Sequence, residues 1–426
     1  MKLLIKRGRL IDPVGGIGGV MDLLIEDGHI ASLGSDLGNA ADEILDANGL
    51  VVCAGLVDMH VHLRDPGLEY KEDIFTGTLA AARGGVTTLA CMPNTKPATD
   101  CPEQIRYVQE KAATACGVRV YPVCAVTRGQ QGQELTDVEQ AKKAGAPALS
   151  DDGFPIDSAN VMRDALIRAK RYDLPVLSHC EYGDMVKNYA VNEGRVSRQL
   201  WLEGRPAIAE ELMVMRDAML AEETGAHVHI QHVSTGKSVD IIRKMKKKGV
   251  PITCETCPQY FTLTEDEILR CGSQARVNPP LRTKRDVEEI IRGLQDGTID
   301  AIVTDHAPHS AEEKARPLEK APSGMVGLET SLAVTLTALY HTGKLELDAI
   351  IRKMTVNPAN ILRLSAGRLA IGADADVTIF DPDEEWVVDP EEFASKGRNT
   401  PFTGHTLKGR VKYTIVGGNI IYQDKQ

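Results

Sequence analysis

The sequence predicts an α/β protein, a (β/α)8 barrel with a small β domain assembled from the N- and C-terminal segments. Two observations lead there. Through the middle of the chain, eight short β-branched or aliphatic runs alternate with longer helical stretches, the pattern of repeated βαβ units and the number of strands that closes a barrel. On either side of that alternation the chain reads as short strands broken by turns.

Taken in order, Leu3–Arg7, Met21–Glu26 and Ile30–Leu33 are apolar runs separated by glycine-rich stretches such as Gly15–Gly19. Residues 1–54 are therefore assigned to the small β domain. The barrel is assigned to residues 55–364, with strands expected at Leu56–His62, Val86–Met92, Arg119–Ala125, Pro147–Ser150, Pro175–His179, His227–His232, Pro251–Glu255 and Ala301–Thr304. Helical patterns separate most of them: Ile74–Ala82, Pro102–Ala115, Ser158–Arg171, Glu210–Thr224, Val239–Lys248 and Arg285–Leu294. Two more are expected at Leu328–His341 and Pro358–Leu364. Strand-like texture returns at Asp376–Phe380 and Val411–Val416, so residues 365–426 are expected to complete the small β domain.

Composition narrows the function. The chain has 426 residues, 42% of them hydrophobic, which excludes an intrinsically disordered protein. Its formal charge of −11 argues against a nucleic-acid or anionic-membrane partner, because no broad basic face exists to displace counterions. Nothing approaches the roughly 18 consecutive apolar residues of a membrane span, and charge interrupts Met1–Arg7 too early for a secretory signal. Nine scattered cysteines fit reduced thiols, and Cys254-Glu255-Thr256-Cys257, with no second pair, reads as strand packing. A soluble cytoplasmic protein acting on a small molecule is expected.

The chemistry gathers at strand ends. In Asp58-Met59-His60-Val61-His62 the two histidines are two apart on a strand and share a face, a ready pair of ligands for a borderline metal such as zinc. His179, His232 and Asp305 each close a predicted strand, and Asp151-Asp152 follow another. In a barrel the C-terminal strand ends form one face, where such enzymes place their chemistry. His227 and His229 lie on the strand face opposite to His232 and read as packing or hydrogen-bonding residues; His306 should point away from its neighbour Asp305; His29, His341 and His405 fall outside the barrel face.

Asp58–His62 followed by Leu63-Arg64-Asp65-Pro66-Gly67, and Thr304-Asp305-His306-Ala307-Pro308-His309 followed by Ala321-Pro322-Ser323-Gly324, resemble the signatures of dihydroorotases of the long, bacterial type in the amidohydrolase superfamily. Met92-Pro93-Asn94-Thr95 and Arg276–Arg282 match the same family, and the similarity covers nearly the whole chain. The resemblance implies two zinc ions: one held by His60, His62 and Asp305, the other by His179 and His232, with a carboxylate from Asp151-Asp152 between them. Asp152 aligns better, with Asp151 the alternative, since adjacent side chains point opposite ways. Relatives such as dihydropyrimidinases use a carboxylated lysine there, but no lysine lies between Lys143 and Lys170.

The implied reaction interconverts N-carbamoyl-L-aspartate and L-dihydroorotate in pyrimidine biosynthesis. Zinc lowers the pKa of bound water to about 7 and polarises a carbonyl; Asp305 would shuttle the proton. Two divalent cations against two carboxylates leave a positive centre suited to an anionic substrate. Arg64, Asn94 and His309 are implied at the substrate α-carboxylate, and Asn278 with the backbone around Ser323-Gly324 at the ring amide edges, His62 also facing substrate. A homodimer and an association with aspartate carbamoyltransferase are compatible with the family. Ser310–Pro317, polar and bounded by proline, suits either a flap or a solvated loop. The competing readings are another cyclic amidohydrolase, such as a hydantoinase or allantoinase, and an inactive scaffold for aspartate carbamoyltransferase.

Overall fold

A computed structural model of the chain describes residues 1–187 and 189–425. Eight parallel strands form the ring: Leu56–Val61, Val86–Cys91, Arg119–Pro122, Leu149–Ser150, Val176–Ser178, Val228–Ile230, Ile252–Thr256 and Ala301–Ile302. The first three make one ladder and the last five another. Single parallel bridges, Cys124 to Leu149 and Val61 to His306, join the two arcs and leave the sheet without a free edge. All eight predicted strands are present. The third is shorter than expected: Val123–Ala125 remain buried, but the regular ladder stops at Pro122, opposite Cys91, the last residue of the second strand.

Helices wrap the ring, several of them started by a side-chain cap. Asp73 accepts from the Thr76 N–H, Ser158 from Val161, Thr235 from Ser238 and Thr283 from Asp286, satisfying backbone donors that a first helical turn leaves unpaired. The following helices bury one stripe against the strands, as Ile290, Ile291 and Leu294 do in Lys284–Gln295. The stretch expected as Leu328–His341 is a short α-helix, Ser331–Thr335, running into a π-helical turn at Leu336–Tyr340. Beyond it come two helices, Leu347–Met354 and Val356–Ile361, where the sequence suggested one. A two-strand ladder, Val191–Asn192 with Gly204–Arg205, was not foreseen and carries Arg205 toward the site described below.

The terminal segments share one eight-stranded sheet. Five strands between Lys2 and Ala54 join Val377–Val387, Thr406–Val416 and Asn419–Gln423, with Val377 paired antiparallel to Ala54. The glycine-rich stretch separates the first two strands only in part, Gly15 and Gly16 lying in the turn between them. Gly18 and Gly19 lie inside Ile17–Glu26, paired with Ile11 and Leu10, and the turn falls earlier, where the Asp12 carboxylate accepts from the Val14 and Gly15 N–H groups. This sheet has its own core, including Leu3, Ile5, Leu23, Val52, Val377 and Ile415, separate from the barrel core. Among the described residues no helix is long and apolar enough to cross a membrane.

Candidate active site

The C-terminal strand ends open into a cavity of about 180 Å³ lined by His62, Arg64, Asn94, Asp152, Gly153, His179, His232, Asn278, Asp305, Ala307, His309, Ser323 and Gly324. His60 lies beneath it, fully buried. The cavity thus gathers residues that are up to 262 positions apart in sequence, from 62 to 324.

Asp152 is the hub. One carboxylate oxygen stands 3.4 Å from His60 Nε2 and 3.5 Å from both His179 Nδ1 and His232 Nε2; the other is 3.4 Å from His62 Nε2. Asp151 turns the other way and accepts from the Val126 and Thr127 N–H groups at 2.8 and 3.1 Å. Asp305 Oδ1 is 3.1 Å from His62 Nε2 and 3.6 Å from His60 Nε2. His179 Nδ1 and His232 Nε2 face each other at 2.8 Å.

The backbone is strained where these side chains leave it. Arg64, His232 and Asp305 have φ of +60°, +32° and +48°, a region that costs a non-glycine residue about 1–3 kcal/mol. Neighbouring polar groups hold them there. Asp58, buried in the first strand, accepts from the His60 N–H and from the Thr304 N–H just past the eighth, tying the two strand ends together directly before Asp305. His306 points away from the cavity, its Nε2 3.3 Å from the Glu72 carboxylate, and its carbonyl accepts from the His62 N–H.

Each imidazole is also turned by a partner outside the cluster. His60 Nδ1–H donates to Glu255 at 2.6 Å, which leaves Nε2 facing Asp152. His62 Nδ1–H donates to the Asn94 amide oxygen at 2.8 Å, with the same result. Such partners fix the tautomer and raise ligand basicity. Glu181 stands 3.6 Å from His179 Nε2 and is itself paired with Arg205, which also donates to Asn278. Sequence reasoning missed Glu255, Glu181 and Arg205. Glu255 closes the seventh predicted strand, so the strand-end rule that singled out Asp305 would have found it. His227 and His229 both hydrogen-bond the Thr253 hydroxyl at 2.8 Å, and His229 Nε2 lies 3.1 Å from Glu255.

The electrostatics favour positive charge at this spot. Burial opposes ionisation of Asp152, but His60, His179 and His232 hold it well below the usual carboxylate range. Burial likewise disfavours the charged imidazoles, yet Asp152 and Glu255 raise His60 well above its ordinary value, and Asp152 and Glu181 raise His179 to about 9. Glu255 and Glu181 are each held at about 2 against burial by their histidines. His62 is lowered by burial, with Asp305 opposing, and Arg64 by burial also. His309 is depressed by burial and by the cations of Arg64 and Lys71. Carboxylates that draw protons onto buried imidazoles would equally draw a metal cation. The donor set fits one: His60–Asp152–His232 and His60–His62–Asp305 each bring their ligand atoms within 4.8 Å of one another, and His60 Nε2 and Asp152 Oδ1 are buried without a hydrogen-bond partner.

The residues expected to face substrate sit above this cluster. Arg64 is buried, its Nε donating to Pro308 O at 3.2 Å; Asp65 pairs instead with Lys111. His309 Nε2–H donates to Ser323 O at 2.8 Å while Lys71 approaches its Nδ1. Gly324 lines the cavity, but its N–H is given to Arg276 O. Within residues 310–317, Ala311–Lys314 is a helical turn capped by Ser310; Lys314 is buried, while Ala311, Glu312, Ala315, Arg316 and Pro317 are exposed.

A barrel with a split terminal sheet and a histidine–aspartate cluster at its strand ends defines an amidohydrolase, and comparison with known proteins agrees. A family model described as dihydro-orotase-like matches residues 49–238, and one for the amidohydrolase family matches 294–422. The chain is 51% identical to a dihydroorotase of Pelotomaculum thermopropionicum, over 100% of this chain and 99% of that protein. It is 48% identical to one of Acetivibrio thermocellus, over 99% of both. Among solved structures, an L-hydantoinase (dihydropyrimidinase) from Arthrobacter aurescens superposes with a TM-score of 0.89 at 26% identity, covering 100% of this chain and 96% of the other. A dihydropyrimidinase from Brevibacillus agri NCHU1002 gives 0.88 at 25%, with the same coverage. The chain belongs to the dihydroorotase family of enzymes.

Proposed function

We propose that this enzyme catalyses the reversible, zinc-dependent cyclisation of N-carbamoyl-L-aspartate to L-dihydroorotate and water, a step of pyrimidine biosynthesis. The observation that carries the reading is Asp152, a carboxylate within 3.4–3.5 Å of four imidazole nitrogens where relatives of the hydantoinase kind use lysine. His60, His62 and Asp305 would hold one zinc and His179 and His232 the second, with Asp152 between them. Bound there, zinc would acidify a water and polarise the ring carbonyl.

The chain supplies the rest. Asp305 Oδ1, 3.1 Å from His62 Nε2 at the cavity edge, takes the proton of the attacking water and delivers it to the ring nitrogen as the amide C–N bond breaks. In the cyclising direction the same carboxylate takes a proton from the ureido nitrogen. Arg64 offers its planar fork to the α-carboxylate, with Asn94 and His309 beside it. Asn94 serves twice: its oxygen turns His62, and its NH2 lies beside Gly153 at the cavity wall. Asn278, fixed by Arg205 and Glu181, and the Ser323-Gly324 segment border the ring. Assembly as a homodimer, contact with aspartate carbamoyltransferase and a cytoplasmic location are compatible with this reading.

Metal per chain and ring opening of dihydroorotate, measured on wild type and Asp305→Asn, test it. Wild type should hold about two zinc ions, lose activity to a chelator and regain it with zinc. Asp305→Asn should lose kcat by about 10²–10⁴-fold. A zinc-loaded wild type that opens hydantoin but not dihydroorotate would overturn the reading in favour of the hydantoinase alternative.

A further inference from the structure

The wall formed by Pro322, Ser323 and Gly324 belongs to no helix or strand, yet each of its three carbonyls is taken by a side chain. Pro322 O accepts from Lys314 Nζ at 3.1 Å, Ser323 O from His309 at 2.8 Å, and Gly324 O from both Lys314 Nζ and Asn399 Nδ2 at 3.0 Å each. Lys314 is 1% exposed and gives its third donor to Arg276 O at 3.3 Å, the carbonyl that also receives the Gly324 N–H. Asn399 is 2% exposed; it donates to Ala307 O and accepts from the His309 N–H, both at 3.1 Å. Two buried polar side chains from distant segments therefore meet on one carbonyl of the cavity lining. The gap they hold is tight. At Gly324, with φ +138°, an added Cβ would stand 2.7 Å from Ala307 O and 3.0 Å from His309 Nε2.

We propose that Lys314 and Asn399 are positioning residues for substrate: together they clamp the Gly324 carbonyl and so fix the 322–324 wall against the 307–309 segment, setting the width of the cavity beside Arg64 and His309. A buried lysine amine with three carbonyl acceptors, or an amide with all of its contacts on two cavity segments, has no other evident task in a barrel whose core is aliphatic. Neither residue approaches the metal-binding cluster or the reacting atoms, so the clamp acts on binding and leaves the chemical step alone. Released, the wall would sample several positions and bind ring and α-carboxylate more weakly.

The inference rests on the reading above, and the test separates the two. KM and kcat for dihydroorotate are measured on the zinc-loaded full chain for wild type, Lys314→Met, Asn399→Ala and the double variant, alongside zinc content and thermal melts. A wild type without dihydroorotate turnover removes the functional reading before any variant is read. With turnover present, each single variant should raise KM by about tenfold, leave kcat within about threefold and keep its zinc. The double variant should raise KM by less than the product of the single effects, because both side chains anchor the same carbonyl. Unchanged KM, a proportional fall of kcat, or multiplicative effects would each overturn the clamp. Should Lys314→Met melt below the assay temperature, Lys314→Gln, which retains two N–H donors, must show the same KM-selective loss in smaller degree, and its absence would overturn the proposal equally.

Discussion

His60, His62, Asp152, His179, His232 and Asp305 leave the ends of barrel strands or the turns just beyond them, whereas Arg64, Asn94, Asn278, His309 and Gly324 lie on coil. The first group inherits its aim from the ladder. Once Val61 bridges to His306 and Val228 pairs with Val176, the bearings of the neighbouring histidines are set to within a rotamer, and a carboxylate such as Glu255 completes the job. The second group has no ladder to inherit from. Its positions are held by side chains reaching in from elsewhere: Arg205 to Asn278, Lys314 and Asn399 to Gly324. The histidine–aspartate cluster is built on strand ends, whereas the cavity wall above it is assembled from loops, each pinned by one or two buried polar groups.

The sharpest way to break this contrast is to disturb aim without touching a ligand. Glu255 is fully buried and shares its carboxylate between His60 and His229. Glu255→Gln keeps an acceptor for His60 Nδ1–H but removes the charge that raises the basicity of Nε2. Zinc affinity, measured by competition with a chelator of known strength, should fall about 10–100-fold, with KM for dihydroorotate little changed once zinc is saturating. Unaltered affinity would mean the strand alone aims His60.

Arg64→Lys probes the other group. A lysine retains the charge but not the planar fork, and it cannot reproduce the bond from Nε to Pro308 O in the strained φ +60° setting. KM for dihydroorotate should rise about tenfold while zinc content holds and kcat changes less. A loss of zinc in this variant would show that the two groups are not separable.

The same contrast explains what the sequence disclosed. His60-x-His62, His179, His232 and Asp305 stand out because strand periodicity and strand ends are local properties, readable within a handful of residues. All eight barrel strands were found for that reason. The clamps were invisible because their meaning is long-range. Asn399 lies in the segment read as part of the terminal β domain, 75 residues from Gly324, and nothing in Arg398-Asn399-Thr400 announces a contact with the barrel mouth. Lys314 sits in a polar stretch that suggests solvent, and only the folded chain buries it. Arg205 arrives on a two-residue strand too short to leave a pattern. Glu255 was hidden differently, inside a Cys-x-x-Cys run that drew attention to its sulfurs; those cysteines are buried and free.

Adjacent residues on one short helical turn give the finest test. Glu313 pairs with Lys71 at 3.1 Å, accepts from the exposed Tyr70 hydroxyl at 3.1 Å and stands 3.6 Å from His309 Nδ1, while Lys314 turns under the wall to the clamp. Burial opposes ionisation of Glu313, but Lys71 and Tyr70 hold it below the usual carboxylate range; the pair is partly buried, its side chains 12% and 14% exposed, and salt screens it in part. Glu313→Gln keeps an acceptor for Tyr70 and should cost less than about 1 kcal/mol of stability. Its KM should stay within about twofold of wild type, and the difference in melting temperature should shrink as salt is raised. If Glu313→Gln matched Lys314→Met in KM, the orientation of a side chain on that turn would not matter, and the wall would be held by the turn as a whole and not by the buried lysine beneath it.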